Sequence, residues 1–392
     1  MGRPNDIVIP ATTSWLNNPA AQKLCTGVSA AGFNIYFVGG CVRNALLGLA
    51  DSDIDMSTDA RPEQVMEIAQ ALGHKAIPTG IDHGTVTVVV DGTPFEVTTF
   101  RRDVETDGRR AVVAFSDNIK DDARRRDFTM NALYATPKGH VVDPLGGLND
   151  LLARRIRFIE DPDARIREDY LRTLRFFRFS AWYADSEEGF DPDALAAISA
   201  NITGLETLSA ERLGQEMIKL LGAPDPSPAI AVMRQTGVLP VILPGSDDRM
   251  LAILVHMESA LGVLPDWKRR LAILGGEDAA ARLRLSRADT QVLSLIRAVG
   301  FSGPPVEEVA YRHGWELGQT TVLIRAALAE HLPDSAVLET VSNAAKAVFP
   351  VQARDLMPGY QGPALGKKLK ELEQRWINSG FTLTAEELLR SG

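Results

Sequence analysis

Asp53 and Asp55, in the segment DSDID, have the residue type and spacing to bind a metal ion. Side chains two residues apart on a β-strand share one face, so the pattern predicts two neighbouring carboxylates. Two like charges at that spacing repel each other unless a cation lies between them. Mg²⁺ prefers oxygen ligands and completes its shell with water and substrate phosphates. We therefore predict that Asp53 and Asp55 are catalytic metal ligands, with Glu96 as a candidate third; a solvated surface loop is the alternative.

Gly39 and Gly40 stand between an apolar run, Ile35–Val38, and a helical stretch that begins at Val42. A glycine turn before a helix lets backbone N–H groups approach phosphate oxygens, and the helix N-terminus adds a favourable field. Arg43 lies one turn into that helix. Paired glycines are also common in ordinary turns, so the phosphate-binding interpretation depends on the aspartates that follow.

The elements that must position these residues mix strands and helices over the first 145 residues. Thr85–Asp91 and Pro94–Phe100 flank a tight turn and predict a hairpin, and Pro62 predicts the start of a helix. The polar segment Arg101–Asp122 predicts a mobile loop. Helical patterning resumes over Phe128–Ala135. The first part of the chain therefore predicts an α/β arrangement.

The character of the chain changes after Gly146 and Gly147. Strand signals fade, and amphipathic helices dominate to the end, including one predicted over Ile166–Ala184. We find no internal repeat and no low-complexity segment. The layout predicts an α/β head followed by a long helical part.

Four segments carry a resemblance when they are taken together and in order. They read FVGGCVRNALLGLADSDIDMSTDARPE, RRRDFTMNALY, DPLGGLNDLLARRIRFI and REDYLRTLRFFRFSAWY. They resemble class II tRNA nucleotidyltransferases, the CCA-adding enzymes and related poly(A) polymerases of the polymerase β superfamily. This resemblance implies an α+β protein with a polymerase β-like nucleotidyltransferase head followed by an all-α neck, body and tail. The implied ranges are a catalytic head over 1–145, a base-reading neck over 146–185, an RNA-binding body over 186–330 and a tRNA-binding tail over 331–392.

The resemblance also implies roles for individual residues. Asp53 and Asp55 would hold Mg²⁺, and Asp127 would brace the site. The implied nucleotide-binding residues are Gly39, Gly40, Arg43, Arg126, Asp169, Arg172, Arg175 and Arg178. The implied reaction is template-independent addition of CCA to the 3′ end of tRNA from CTP and ATP, with release of pyrophosphate. The tRNA would be bound through its 3′ end and acceptor arm.

The implied role of Asp169 and Arg172 as base readers has a physical basis. At three residues apart on one helix, they would present an acceptor and a donor together. Cytosine and adenine each offer an amino donor beside a ring-nitrogen acceptor, whereas uracil and guanine offer the reverse order. A mismatch leaves buried charged groups unpaired and costs a few kcal/mol. The alternative is a surface ion pair on an arginine-rich helix.

Asn44 departs from the family pattern, in which the first segment usually reads GGxVRD. Asparagine keeps an acceptor but lacks the negative charge of aspartate. We expect this change to tune the orientation of Arg43 without abolishing catalysis.

Several other functions remain open at this point. A poly(A) polymerase is the nearest rival, although IPTGIDHGTVTVVV looks like the CCA-adding type. An enzyme that adds only CC or only A is a second, and a metal-dependent phosphoesterase a third. A non-catalytic RNA-binding protein is a rival from another class, but paired carboxylates would serve no purpose there. The chain contains no His-Asp dipeptide, so we expect no appended phosphohydrolase domain.

Composition sets broader limits. The 392 residues include 45% hydrophobic and 24% charged residues, which is ordinary for a globular protein and excludes collagenous and disordered classes. The formal net charge of −9 argues weakly against a protein that coats nucleic acid. Two cysteines cannot form a disulfide framework, and we find neither a secretory signal nor a membrane-spanning run. We expect a cytoplasmic protein with no membrane association and no stable protein partner.

Overall fold

The computed structural model describes residues 7–50, 52–107, 110–185 and 187–390. The chain forms two compact units, one from Met1–Glu216 with Val232–Ile242 and the other from Met217–Ala231 with Leu243–Gly392. The described strands belong to the first unit, and the described part of the second is helical. The predicted α+β class is confirmed.

A seven-stranded mixed sheet forms the centre of the first unit. Its strands run in the order β3-β4-β5-β2-β1-β8-β9, and β6 and β7 form a separate two-stranded sheet. The strands are β1 (Ile35–Val38), β2 (Asp55–Thr58), β3 (Lys75–Gly80), β4 (Thr85–Val90), β5 (Thr93–Thr99), β6 (Arg101–Asp107), β7 (Arg110–Phe115), β8 (Tyr134–Ala135) and β9 (Val141–Val142). Among the described strand pairs, only β2–β5 is parallel, and it sets Asp55 opposite Glu96.

The helices of the first unit surround this sheet and continue beyond it. They are α1 (Pro19–Ala30), α2 (Gly40–Leu47), α3 (Pro62–Ala71), α4 (Ile119–Arg124), α5 (Leu148–Leu152), α6 (Pro162–Glu168), α7 (Leu171–Tyr183) and α8 (Pro192–Ala200), followed by α9 (Ala210–Leu221), α10 (Ser227–Gln235) and α11 (Val238–Ile242). Both α9 and α10 cross a boundary between the units. Short 3₁₀ helices occupy Ile81–His83, Thr129–Asn131 and Ile202–Thr207.

The second unit contains the remaining helices. They are α12 (Arg249–Ala260), α13 (Trp267–Leu274), α14 (Ala279–Arg282), α15 (Arg287–Ser302), α16 (Val306–His313), α17 (Trp315–Leu328), α18 (Ser335–Ala345), α19 (Gly362–Asn378) and α20 (Ala385–Arg390), with a 3₁₀ turn at Ala353–Leu356. Arg269 and Arg270 are buried here and share the buried carboxylate of Glu258. No described helix is long and apolar enough to cross a membrane.

Of three secondary-structure predictions for the first unit, the structure confirms one and contradicts two. The hairpin over Thr85–Phe100 is confirmed as β4 and β5. The loop predicted over Arg101–Asp122 is wrong for the described part of that range, which contains β6, β7 and the start of α4; residues 108–109 lie outside the described residues. β6 reads RRDVETD and its polarity resembles that of a loop, but β7 reads RAVVAF, an apolar strand signal that the loop prediction overlooked. The helix predicted over Phe128–Ala135 is also wrong, because this stretch ends in the strand β8. Nearly all of its residues are buried, so their apolar character does not reveal which secondary structure they form.

The helix predicted over Ile166–Ala184 is interrupted at Asp169, which corrects the expected geometry of the base reader. Asp169 is extended, with φ −155° and ψ 105°, and its Oδ1 accepts a hydrogen bond from the Leu171 N–H. Aspartate competes in this way for backbone donors and favours helix ends. The ring of Tyr170 lies against Gly204, where an added Cβ would come within 2.0 Å of it. Asp169 and Arg172 therefore do not lie on one continuous helix.

An aromatic cluster fixes α7 against the segment that precedes the sheet strand β8. Phe128 lies 5.0 Å, ring centre to ring centre, from both Phe158 and Phe179, and Phe158 stacks on Phe176 at 5.6 Å. Such pairs contribute about 0.5–1.5 kcal/mol each beyond the burial of their surface. Because Phe128 directly follows Asp127, this packing also sets the position of the polar residues beside it.

Candidate active site

A cavity of about 400 Å³ lies in the first unit. Its lining comes from the turn between β1 and α2, the start of β2, the segment before β8, the start of α7 and α9. The lining residues are Gly39, Gly40, Arg43, Asp55, Arg126, Asp127, Asn131, Asp169, Leu171, Arg172, Arg175, Phe179 and Arg212. Most of the predicted site residues are therefore brought together, whereas Asp53, Glu96 and Arg178 are not among the lining residues.

The glycine turn between β1 and α2 depends on both glycines. Gly39 has φ +71° and ψ −117°, a conformation that side chains other than hydrogen disfavour. A Cβ on Gly40 would lie 2.9 Å from the Ser52 Oγ and 3.8 Å from Arg43 Nη2. The turn brings the N-terminus of α2 to the cavity, where the first helical N–H groups have no acceptor within the helix. This end of the cavity suits an anion.

Arg43 is held at the cavity by neutral groups. Its Nε and Nη2 donate to Asn44 Oδ1 at 3.2 and 3.0 Å, its Nη1 donates to Asn131 Oδ1 at 2.6 Å, and Nη2 also donates to the Tyr183 hydroxyl at 2.9 Å. The guanidinium lies over the rings of Phe179 and Tyr183. Arg43 is 7% exposed, and burial lowers its pKa.

Asn44 also uses its second polar atom. Its Nδ2 donates to the Ala50 carbonyl at 2.9 Å, in the connection from α2 to β2. Asparagine thus accepts from Arg43 and donates to the backbone at once. An ionised aspartate could accept from Arg43 but could not donate to Ala50. The expectation that residue 44 bears on the orientation of Arg43 agrees with these contacts.

Asp55 begins β2 at the edge of the cavity, and Asp53 precedes the strand. The Asp55 side chain is partly exposed, yet desolvation raises the pKa of its carboxyl group. The negative charges of Glu96 and Asp53 raise this pKa further, and the positive charge of Arg126 lowers it. Negative charge is thus concentrated at this edge. Among the described residues, no three His, Cys, Asp or Glu side chains are grouped closely enough to hold a metal ion by themselves.

Arg126 is fixed by a buried acid. Its Nη2 donates to Asp122 Oδ2 at 3.0 Å, and its Nε donates to the Tyr134 hydroxyl, which in turn donates to the same Asp122 oxygen at 2.7 Å. Burial opposes the charge on Asp122, but Arg126 and Arg125 hold the pKa of that carboxyl well below its usual range. The positive charge of Arg126 is therefore matched by a carboxylate.

Asp127 links the glycine turn to α7. It is 8% exposed, and its two oxygens accept from Asn131 Nδ2 at 2.9 Å and from Arg175 Nε at 2.7 Å. Burial would raise its pKa, but Arg175 and these hydrogen bonds bring the pKa of Asp127 to about 2. Since Asn131 also accepts from Arg43, one chain of contacts runs from Arg43 to Arg175.

Asp169 and Arg172 both line the cavity but pair with different partners. Asp169 Oδ2 accepts from Arg212 Nη2 at 2.7 Å. Arg172 is bound to the Glu168 carboxylate and donates to the Arg125 carbonyl at 3.2 Å. A donor and an acceptor thus face one space without bonding to each other.

Arg178 lies beside the cavity. It donates to the Glu216 carboxylate and lies 4.5 Å from the centre of the Phe179 ring, which Arg43 and Arg175 also approach. Sequence reasoning missed four of the lining residues, which are Asn131, Leu171, Phe179 and Arg212. Phe179 falls within the helix already identified, but Arg212 is separated from Asp169 by 43 residues and has no local signal.

Two family models match this chain. One, described as the poly A polymerase head domain, matches residues 35–157. This range contains the glycine turn and the candidate metal ligands Asp53, Asp55 and Glu96. The second, described as a probable RNA and SrmB-binding site of polymerase A, matches residues 189–250.

Individual relatives extend the likeness over nearly the whole chain. A CCA-adding enzyme from Geobacillus thermodenitrificans is 43% identical over 218 residues, which cover 55% of this chain and 52% of that protein, about half its length. The mitochondrial CCA tRNA nucleotidyltransferase 1 of Homo sapiens is 31% identical over 369 residues, 90% of this chain and 84% of that protein. The crystal structure of a Bacillus stearothermophilus CCA-adding enzyme in complex with CTP has a TM-score of 0.69 at 29% identity, over 92% of this chain and 94% of that chain. This chain belongs to the family of CCA-adding tRNA nucleotidyltransferases.

Proposed function

We propose that this protein adds C, C and A to the 3′ end of tRNA, using CTP and ATP. The observation that carries this proposal is that Asp55, Arg43 and Asp169, each from a different element, line one cavity. Asp55 makes one edge of this cavity acidic, Arg43 makes the glycine turn cationic, and Asp169 lies on a polar wall. A nucleoside triphosphate needs such groups for its metal ion, its phosphates and its base. The family relatives named for this reaction support the choice of substrates.

The acidic edge fits a divalent cation such as Mg²⁺. Asp53 and Asp55, with Glu96 opposite in the sheet, would hold it through hard oxygen ligands. Desolvation is the main cause of the raised pKa of Asp55, and the charges of Glu96 and Asp53 add to it; a cation would offset those charges. These carboxylates do not form a closed set, so the substrate would supply further oxygens. When bound, the ion would activate the attacking hydroxyl group and stabilise charge on the phosphate.

The chain's own residues would place the triphosphate and the attacking group. The N–H groups at the start of α2 and the guanidinium of Arg43 would bind phosphate oxygens, and Arg126, whose guanidinium lies beside Gly39, would contact the nucleotide. The tRNA 3′-hydroxyl would attack the α-phosphate in line, and pyrophosphate would leave. Much of the rate enhancement in such transfers comes from positioning and electrostatics.

Asp169 and Arg172 would read the base from the neck. The carboxylate would accept from the amino group of cytosine or adenine, and the guanidinium would donate to the neighbouring ring nitrogen. Arg212 would hold Asp169, and Glu168 would hold Arg172, so each reader has its own support. Arg175 and Arg178 would complete the binding helix through their contacts with Phe179.

Incubation with tRNA that lacks its terminal CCA tests the reaction. Each radiolabelled nucleoside triphosphate is supplied alone and then in combination, and the product length is read on a gel. We expect C, then A, with synthesis ending after three additions. Arrest after CC, addition of A alone, or a long A tail would each replace the proposal with a related activity, and no incorporation at all would favour an RNA-binding protein.

Replacing Asp53 or Asp55 with Asn removes one carboxylate while keeping its size. We expect nucleotide transfer to fall by at least about 1000-fold, because the metal ligands act on the transition state. The dissociation constant for tRNA should change less than about threefold, since RNA affinity comes mainly from phosphate contacts.

Asp91→Asn is the matched control for this pair. Asp91 pairs with Lys23 on the surface, outside the cavity, and its positive φ also suits asparagine. The control should retain full activity. Near-normal transfer by Asp55→Asn in Mg²⁺ would show that the metal assignment is wrong.

Replacing Asp169 with Ala removes the proposed acceptor for the base amino group. We expect incorporation of C and A to fall roughly 10- to 1000-fold, which corresponds to about 1–4 kcal/mol. Incorporation of U or G should rise relative to the weakened correct reaction.

Arg212→Ala should show the same loss of selectivity in milder form, because it frees Asp169 without deleting it. Asp163→Ala is the control, since that carboxylate lies on α6 and does not line the cavity. Competition assays with all four triphosphates measure the preference. An unchanged preference for C and A in Asp169→Ala would exclude this residue as a base reader.

Asn44→Asp restores the usual family residue. We expect the reaction class to stay the same and the KM for CTP to rise by less than about tenfold, or ~1.4 kcal/mol. Two effects act in this direction: a carboxylate offsets the charge of Arg43, and the bond to Ala50 is lost. Steady-state kinetics with CTP and ATP measure the change. A gain in kcat of several orders of magnitude would mean that Asn44 cripples the natural protein.

A further inference from the structure

Tyr183 makes two kinds of contact with Arg43. Its hydroxyl accepts a hydrogen bond from Nη2 at 2.9 Å, and its ring centre lies 4.2 Å from the guanidinium carbon. Tyr183 ends α7, so this contact joins the last turn of that helix to the first turn of α2. Tyr183 ends the segment REDYLRTLRFFRFSAWY, but the resemblance assigned no role to it.

The surroundings of Arg43 contain acceptors but no paired carboxylate. Asn44, Asn131 and Tyr183 satisfy four of its five N–H groups, and all three are neutral. Within the described residues, the remaining N–H on Nη1 has no hydrogen-bond partner and no carboxylate lies within 4.0 Å of the guanidinium. A buried cation whose hydrogen-bond partners are all neutral is costly; the Asp127 carboxylate, one residue further along through Asn131, offsets part of that cost, and a bound anion would relieve more of it.

Arg126 gives the internal comparison. It lines the same cavity, but the buried Asp122 carboxylate offsets its charge at 3.0 Å. The two arginines therefore differ in net local charge although they share residue type and location. Arg43 is the one whose charge remains available to a phosphate group.

We propose that Tyr183 is a positioning residue, which holds Arg43 in this neutral cage for the triphosphate of the incoming nucleotide. The inference rests on the proposed function for the identity of the nucleotide. The hydroxyl fixes the edge of the guanidinium, and the ring supports its face together with Phe179, whose centre is 5.3 Å from that of Tyr183. Neither contact cancels the positive charge, whereas an acidic residue in the same place would.

Tyr183→Phe is the decisive variant, because it deletes the hydroxyl and keeps the ring. We expect the dissociation constant for CTP, measured by titration with Mg²⁺ present and tRNA absent, to rise about three- to tenfold. The KM for CTP and ATP and the inhibition constant of inorganic pyrophosphate should rise by a similar factor. The kcat should change less than about threefold, and the KM for tRNA should not change. Tyr183→Leu should weaken CTP binding further because it also deletes the ring.

Tyr311→Phe is the matched control. It also removes one hydroxyl hydrogen bond, to Glu373 Oε1 at 2.8 Å, and it lies in the second unit. We expect its CTP affinity to stay within about twofold of the parent protein. This comparison separates positioning of Arg43 from a general loss of stability.

Two results would overturn the proposal. One is a CTP dissociation constant for folded Tyr183→Phe that matches those of the parent and of Tyr311→Phe. The other is a collapse of kcat with unchanged CTP affinity, which would mean that Tyr183 does not act through triphosphate binding. If the parent protein binds CTP but transfers no nucleotide to tRNA, the proposed function fails, and the titrations still decide the role of Tyr183.

Discussion

The buried carboxylate of Asp127 is the interaction on which the cavity depends. A charge in this position is tolerated only when hydrogen bonds and an opposite charge surround it, and Arg175 and Asn131 supply them. Arg175 belongs to α7, whereas Asn131 lies in the segment before β8, so the geometry of one carboxylate ties the helix to the sheet. Phe128 adds an apolar contact at the same point. The polar and the apolar contacts thus enforce a single placement of α7.

Charge is distributed unevenly over the walls that this placement creates. Asp55 and its neighbours concentrate negative charge at one edge, and Arg126 is offset by its own buried acid. Asp169 and Arg172 each have a charged partner outside the pair. Arg43 alone among these residues is supported by uncharged groups. The first unit thus separates a region suited to a cation from one suited to phosphate, within a cavity of about 400 Å³.

Local chemistry could be predicted from the sequence, but distant partners could not. The glycine turn and the hairpin of β4 and β5 follow from residue type and spacing within a few positions. The interruption at Asp169 does not, because Arg212 holds that residue in place from 43 positions away. Helical periodicity continues through Asp169, where the local bond from the Leu171 N–H and the distant contact with Arg212 together end α6. The ribbon of β6 and β7 was missed because the charged residues of β6 outweighed the short apolar run of β7 when the segment was read as a whole.

The contact between Tyr170 and Gly204 gives position 204 an importance that its chemistry does not suggest. The ring occupies the space of a Cβ, so even alanine there would displace Tyr170. Asp169 is the adjacent residue in the chain, and its extended backbone would shift with the ring. A methyl group that does not itself line the cavity would thereby alter the wall that faces the base. During evolutionary drift, this position would vary less than its surface neighbours, although it contributes no functional group.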